Sequence, residues 1–208
     1  IQDILRDYAR AVQYLRSRSD ELNLDKTRIA AYGGSAGAGT SLWLAFHDDL
    51  ADPTNIDPIL RESSRLTCAG AISTQFSYDL PKWRELFGEQ AKSPAEELLM
   101  PYFYGFSKKE ELDTEAGKKI RADCDMCGLI DKADPPVFLT SKLPGGDVTN
   151  HNHLLHHPLH AKTIYDRCRA VGIDAVADLP GLKLSPAKDQ PADLRRFLYR
   201  HLLDAPKN

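Results

Sequence analysis

The 208-residue chain is 42% hydrophobic and 27% charged, the make-up of a globular domain with a substantial core rather than of a disordered or fibrous chain. A formal net charge of −3 argues against a nucleic-acid surface, and no apolar run approaches the ~18 residues of a membrane span. Four cysteines are too few to make a chain of this length a disulfide scaffold. No secretory leader is legible, since Ile1 enters a helical pattern directly; this reads as a fragment or processed chain, and it leaves the compartment undefined.

Residues 1–22 carry Ile1, Leu5, Tyr8, Val12 and Leu15 at helical spacing, with Arg and Asp between them, which predicts an amphipathic helix. After a polar break, residues 28–32 (RIAAY) read as a buried strand. This strand runs into the glycine-rich stretch 33–39, and Leu42, Trp43, Ala45 and Phe46 then predict a helix to about His47. Residues 48–64, with Pro53 and Pro58, read as a loop, and 66–73 as a second strand. The stretch 75–132 is irregular and helical, with aromatic clusters. Residues 136–140 are a third strand, Pro158 opens a helix ending near Val171, 173–177 are a fourth strand, and 191–203 a last amphipathic helix. Strands alternating with helices predict one α/β domain over 1–208: a mostly parallel sheet of about four strands, with 75–132 as a helical insertion.

The turn Gly33-Gly34-Ser35-Ala36-Gly37 matches G-x-S-x-G, the nucleophile elbow. A serine in a sharp strand-to-helix turn projects its hydroxyl at the carboxyl edge of the sheet. The flanking residues must be small because strand and helix approach closely. The helix that follows aims its amino end at the serine, and the N–H of Ala36 becomes a donor to an oxyanion. A phosphate-binding loop is the rival reading, but Thr40 stands where its lysine is required. The glycines at 34, 37 and 39 run in the wrong order for a dinucleotide fingerprint. A glycine-rich connection without chemistry is the remaining alternative.

The run YGGSAGAGTSLWLAFHDDLADP, together with DYARAVQYLRSRSDELNLDKTRIAAYGG ahead of it, resembles the elbow region of the esterase/lipase branch of the α/β-hydrolases, near the hormone-sensitive-lipase-like carboxylesterases. The likeness continues through PPVFLT to the helix–strand–helix end. It implies a partial α/β-hydrolase fold, carboxylic-ester hydrolysis through an acyl-enzyme on Ser35, a small-molecule ester substrate, and no cofactor. It also implies a triad in the order serine, acid, histidine. The acid follows the strand after the insertion, which gives Asp147 in PPVFLTSKLPGGDV; the alternative is a surface aspartate in a Gly-Gly-Asp turn. Strands ahead of the elbow strand are also implied, with a second oxyanion donor on one of their loops. Residues 1–27 here read as helix and break, so the elbow strand is expected to have a bare edge and the isolated chain to be poorly stable.

The histidine departs from the resemblance. The loop DLPGLKLSPAKDQ, where it is expected, contains none, and His201 lies inside the last helix. Five histidines follow Asp147 instead: His151, His153, His156, His157 and His160. Of these, His157 beside Pro158 is the expected base. The alternative is that all five are loop and cap histidines, leaving an impaired hydrolase-fold protein with a binding or scaffolding role. The HNH and HH pairs could attract a transition metal, but no carboxylate or cysteine stands in register with them, so no metal site is assigned. Cys124 and Cys127 form a lone CxxC without a second ligand pair and read as structural. Phe76, Tyr78, Trp83, Phe87, Tyr102, Phe103 and Tyr104 could line an acyl pocket or form the insertion's own core.

Overall fold

Strands β1 (Ala30–Gly34), β2 (Cys68–Ile72), β3 (Val137–Thr140) and β4 (Ala175–Asp178) pair in that order, every pair parallel. The computed structural model in which they are seen describes residues 1–91 and 100–203, so residues 92–99 of the expected insertion lie outside the described residues. The register puts Gly34 beside Ile72, Ile72 beside Thr140 and Thr140 beside Asp178. All four strands therefore end flush at one edge. The ladder continues one residue further, with Ser35 N–H donating to Ile72 O (3.0 Å) and Ser73 N–H to Thr140 O (2.7 Å).

Strand periodicity sorts the buried residues onto two faces. Ala69, Ala71, Val137, Leu139, Ala175 and Ala177 face the main core, where they meet α1 (Gln2–Ser17), α3 (Ala36–Phe46) and α8 (Pro158–Val171). Cys68, Phe138 and Val176 face Phe197 of α9 (Leu194–Leu202). The sheet is thus the middle of three layers. Gly70 of β2 lets α9 pack closely on the second face; a Cβ there would lie 2.3 Å from Leu194 Cδ1. Helix α3 is buried from Ala38 to Phe46, and burying a side chain as large as Trp43 is worth about 3 kcal/mol.

Short helices fill the rest: α2 (Ser19–Leu22), α4 (Trp83–Phe87), α5 (Glu115–Asp123), α6 (Met126–Leu129) and α7 (His151–His156). No helix among the described residues is long and apolar enough to cross a membrane.

Three expectations need correction. The first strand lies two residues later than RIAAY suggests, because pairing with β2 carries it into the glycines. On α1 the buried stripe is Leu5, Ala9, Val12, Gln13 and Arg16, whereas Tyr8 and Leu15 are exposed. The polar members of that stripe are satisfied by loop carbonyls: Gln13 Nε2 donates to Glu62 O (2.8 Å) and Arg16 Nη2 to Arg65 O (2.5 Å). Finally, the histidine-rich stretch is not a loop. Asn150 caps it, its side chain accepting from His153 N–H at 2.9 Å, and it forms α7.

Candidate active site

Ser35 sits between β1 and α3 with φ 53° and ψ −119°, a conformation that a non-glycine residue adopts only where its surroundings impose it. The imposing contacts are local. A Cβ on Gly33 would lie 2.6 Å from the carbonyl carbon of Gly37, so the elbow closes only with glycine at 33. Ser35 O then accepts from Ala38 N–H (3.0 Å) and Gly39 N–H (3.1 Å), which starts the helix. Ala36 is the first residue of α3, and an N–H at that position has no acceptor within the helix. It stands beside Ser35, where the helix dipole favours negative charge.

The chain is held over this turn by tyrosines. Tyr78 OH donates to Ala36 O (3.1 Å) and fills the space over Gly39. Tyr104 OH donates to Tyr78 O (2.6 Å) and accepts from Leu80 N–H (2.9 Å). Burial pushes both phenols well above their usual range, so they stay protonated as donors.

The histidine that meets Ser35 is His156, with Nε2 2.7 Å from Ser35 Oγ. Its Nδ1 lies 3.0 Å from Asn152 O and 3.1 Å from Asn152 Oδ1. Two oxygen neighbours require the proton on Nδ1, which leaves the Nε2 lone pair to accept from the serine hydroxyl. That is the tautomer of a base.

His157 is elsewhere. It is 1% exposed, its Nδ1 accepts from Leu159 N–H (3.1 Å) at the head of α8, and its Nε2 donates to Gly146 O (3.0 Å). Both nitrogens are occupied by backbone, so it holds the chain together and does not face the serine. Asp147 is exposed on the loop between β3 and α7, and among the described residues no hydrogen bond or ion pair joins it to a histidine. His153 and His160 are buried and tied to carbonyls of Pro144 and Leu154, both at 2.9 Å. His201 packs on Phe197 and lies 3.8 Å from Asp174, away from the elbow. The signal that separates His156 from its neighbours is the four-residue spacing from Asn152, read together with an Asn150 helix cap.

Ser35 and Ala36 open onto a cavity of about 350 Å³, whose apolar wall includes Tyr78, Trp83, Phe103 and Leu155. The aromatics divide between the two roles foreseen for them. Tyr78, Trp83 and Phe103 line the cavity, while Phe76 and Phe87 pack on His160, Tyr104 is buried, and Tyr102 is exposed. Among the described residues no group of three or more His, Cys, Asp or Glu side chains is placed to hold a metal. All four cysteines are free, and burial pushes the Cys127 thiol up to about 11 and those of Cys68, Cys124 and Cys168 to about 12, which keeps them as thiols and not as thiolate nucleophiles.

The fold has counterparts among solved structures. An acetyl ester-xyloside bifunctional hydrolase from Caldicellulosiruptor lactoaceticus is similar with a TM-score of 0.60 and 20% identity, over 84% of this chain and 54% of that one. A truncated carbohydrate esterase from gut microbiota gives 0.56 and 18% identity, over 84% of this chain and 58% of that one. A bifunctional GH43-CE protein of Bacteroides eggerthii gives 0.63 and 15% identity, over 95% of this chain and 27% of that one. At such identities the likeness establishes the fold, that of the α/β-hydrolase esterases, and the chain spans little more than half the length of the first two. No curated protein matches the chain in sequence. The BD-FAE family model matches residues 2–142, more than half of the chain and inclusive of the elbow, and the chain belongs to that family.

Proposed function

We propose that the chain carries a carboxylic-ester hydrolase site that works through an acyl-enzyme on Ser35. The 2.7 Å contact between Ser35 Oγ and His156 Nε2 carries the reading. Ser35 Oγ attacks the ester carbonyl carbon while its proton passes to His156 Nε2, and the carbonyl electron pair moves onto oxygen, which takes the Ala36 N–H. The imidazolium then returns the proton to the leaving alkoxide as the carbon–oxygen bond breaks. Water, deprotonated by His156, releases the acid in the second half. The apolar cavity beside Ser35 is shaped for the acyl group. A carbohydrate esterase and an acetyl ester-xyloside hydrolase share the fold, which makes acylated sugars the first natural substrates to try.

A fluorophosphonate probe on the intact protein tests the nucleophile. Labelling that mass spectrometry places on Ser35 and that Ser35→Ala abolishes is expected; equal labelling of the variant overturns the reading. Turnover of p-nitrophenyl esters should vanish in both Ser35→Ala and His156→Ala.

One observation favours a second reading, a hydrolase-fold protein that binds without turning over. Oxygens of Asn152, and not a carboxylate, meet His156 Nδ1. Saturable binding of acyl esters by folded protein, with no hydrolysis across the p-nitrophenyl series, would support it.

A further inference from the structure

Resting on the reading of Ser35 and His156 as a reacting pair, we propose that Asn152 is the positioning residue of the site, holding the His156 Nδ1–H with its side-chain amide oxygen and its own carbonyl oxygen where a carboxylate would otherwise act. Asn152 and His156 lie four residues apart on α7, on one side of the helix. Nδ1 is within hydrogen-bond distance of both oxygens, 3.0 and 3.1 Å. The carbonyl cannot rotate, so it favours a proton on Nδ1, and the amide oxygen adds to that preference. That proton in turn requires the amide to present oxygen, because a flipped amide would set NH₂ against N–H.

The helix that carries the pair is itself clamped. Asn150 caps its start, Gln75 Nε2 donates to Leu155 O (2.8 Å), and Ser141 Oγ donates to His156 O (3.3 Å). The ring direction is therefore set by β2 and β3 through their end loops, and its rotation by Asn152. Among the described residues, His151 and His157 precede and follow the ring in sequence, and His156 opposes protonation of His160. Among the described residues no carboxylate hydrogen bonds the ring. When His156 takes the serine proton, its positive charge meets two oxygen dipoles and, among the described residues, no hydrogen-bonded carboxylate. Such a base positions the proton well but stabilises the imidazolium less than a carboxylate does.

The test uses the intact protein with Asn152→Ala and Asn152→Asp, at an exposed position whose replacement leaves the core untouched. Imidazole nitrogen NMR above neutral pH should report the Nδ1–H tautomer of His156 in the parent and a mixture in Asn152→Ala. In ester assays Asn152→Ala should lower kcat by about tenfold with KM nearly unchanged, the size expected for one hydrogen bond to a developing charge. Asn152→Asp should recover or exceed parental kcat and move the acid limb of kcat/KM to higher pH, since an added anion favours the protonated ring. Parental kcat, tautomer and pH profile in Asn152→Ala would overturn the proposal. A parent protein that shows the tautomer and its loss, but no ester turnover, would leave the positioning role standing and sink the hydrolase reading instead.

Discussion

Gly33 and Gly37 face each other across the elbow so closely that a Cβ on the first would sit 2.6 Å from the carbonyl carbon of the second, while a Cβ on Gly37 would meet nothing within 4 Å. The two glycines of the motif are therefore not equivalent. Gly33→Ala should destabilise the fold by about 3 kcal/mol through backbone overlap. Gly37→Ala should be neutral or slightly stabilising, because alanine is the better helix former by about 1 kcal/mol. Urea midpoints of the two variants check this, and equal loss in both would refute it.

The adjacent histidines should separate cleanly by assay. His156→Ala is expected to keep the parental melting point and lose ester turnover. His157→Ala removes a helix cap, the bond to Gly146 O and an edge-on contact with Phe87 at 5.5 Å. It should cost about 2–3 kcal/mol of stability while the folded fraction still reacts with a phosphonate at Ser35. Thermal melts and labelling rates together decide it.

Acid should weaken the segment that carries these residues. Burial is the main cause that lowers the His157 pKa and brings that of His160 down to about 3, with neighbouring histidines adding to the effect. Once unfolded, both bind protons near the ordinary value of 6.5. Below that pH the unfolded chain holds more protons than the folded one, so this stability is complete above pH 6.5 and is lost as pH falls toward 3. The slope approaches about 1.4 kcal/mol per pH unit for each histidine. Denaturation midpoints between pH 7.5 and 5, which should flatten in His160→Gln if that variant folds, measure it; a midpoint independent of pH across this range contradicts it.

Asp123 ties three helices and has the opposite pH window. Its side chain bonds His47 Nε2 (3.0 Å) and Arg6 Nη2 (3.2 Å), and its carbonyl accepts from Trp43 Nε1 (2.7 Å). The bond from His47 is the main cause that holds the Asp123 carboxyl below its usual range. Burial works against charge on His47, but the bonds to Asp123 and to the Asp48 carbonyl outweigh it and raise the pKa. The aspartate's contribution is present above pH 3.8 and lost as pH falls below it; the histidine's is present below pH 6.5 and lost as pH rises through the raised value. Asp123→Asn should thus cost most, about 1–2 kcal/mol, between these limits and less toward alkaline pH.

The elbow is legible because its physics is local: five residues, a close approach and a helix start. The strands are legible for a related reason, since short apolar runs such as VFL and AVA are buried on both faces of the sheet. What sequence spacing misplaces depends on partners far along the chain. Tyr8 looks like a core residue of α1 and is not, because Gln13 and Arg16 are drawn inward by carbonyls near residues 26 and 62–65. The histidine that meets Ser35 stands one residue before the expected His157, for the same kind of reason. With 151–156 helical, His156 reaches Ser35 and Asn152 is exposed, while 153, 157 and 160 are buried. A six-residue helix has too short an apolar period to reveal that phase.

The proposed nucleophile and the proposed base are 121 residues apart, whereas the proposed base and Asn152 are separated by four. The turn at Ser35 leads into α3, which is buried from Ala38 to Phe46, whereas α7 is a six-residue helix tied down by side-chain bonds from Gln75, Ser141, His153 and His160 and by its Asn150 cap. Local opening of residues 141–157 would silence catalysis while most of the molecule kept its hydrogen-exchange protection. Ester turnover would then act as a gauge of one small foldon, falling earlier in a denaturant titration than any signal from the sheet.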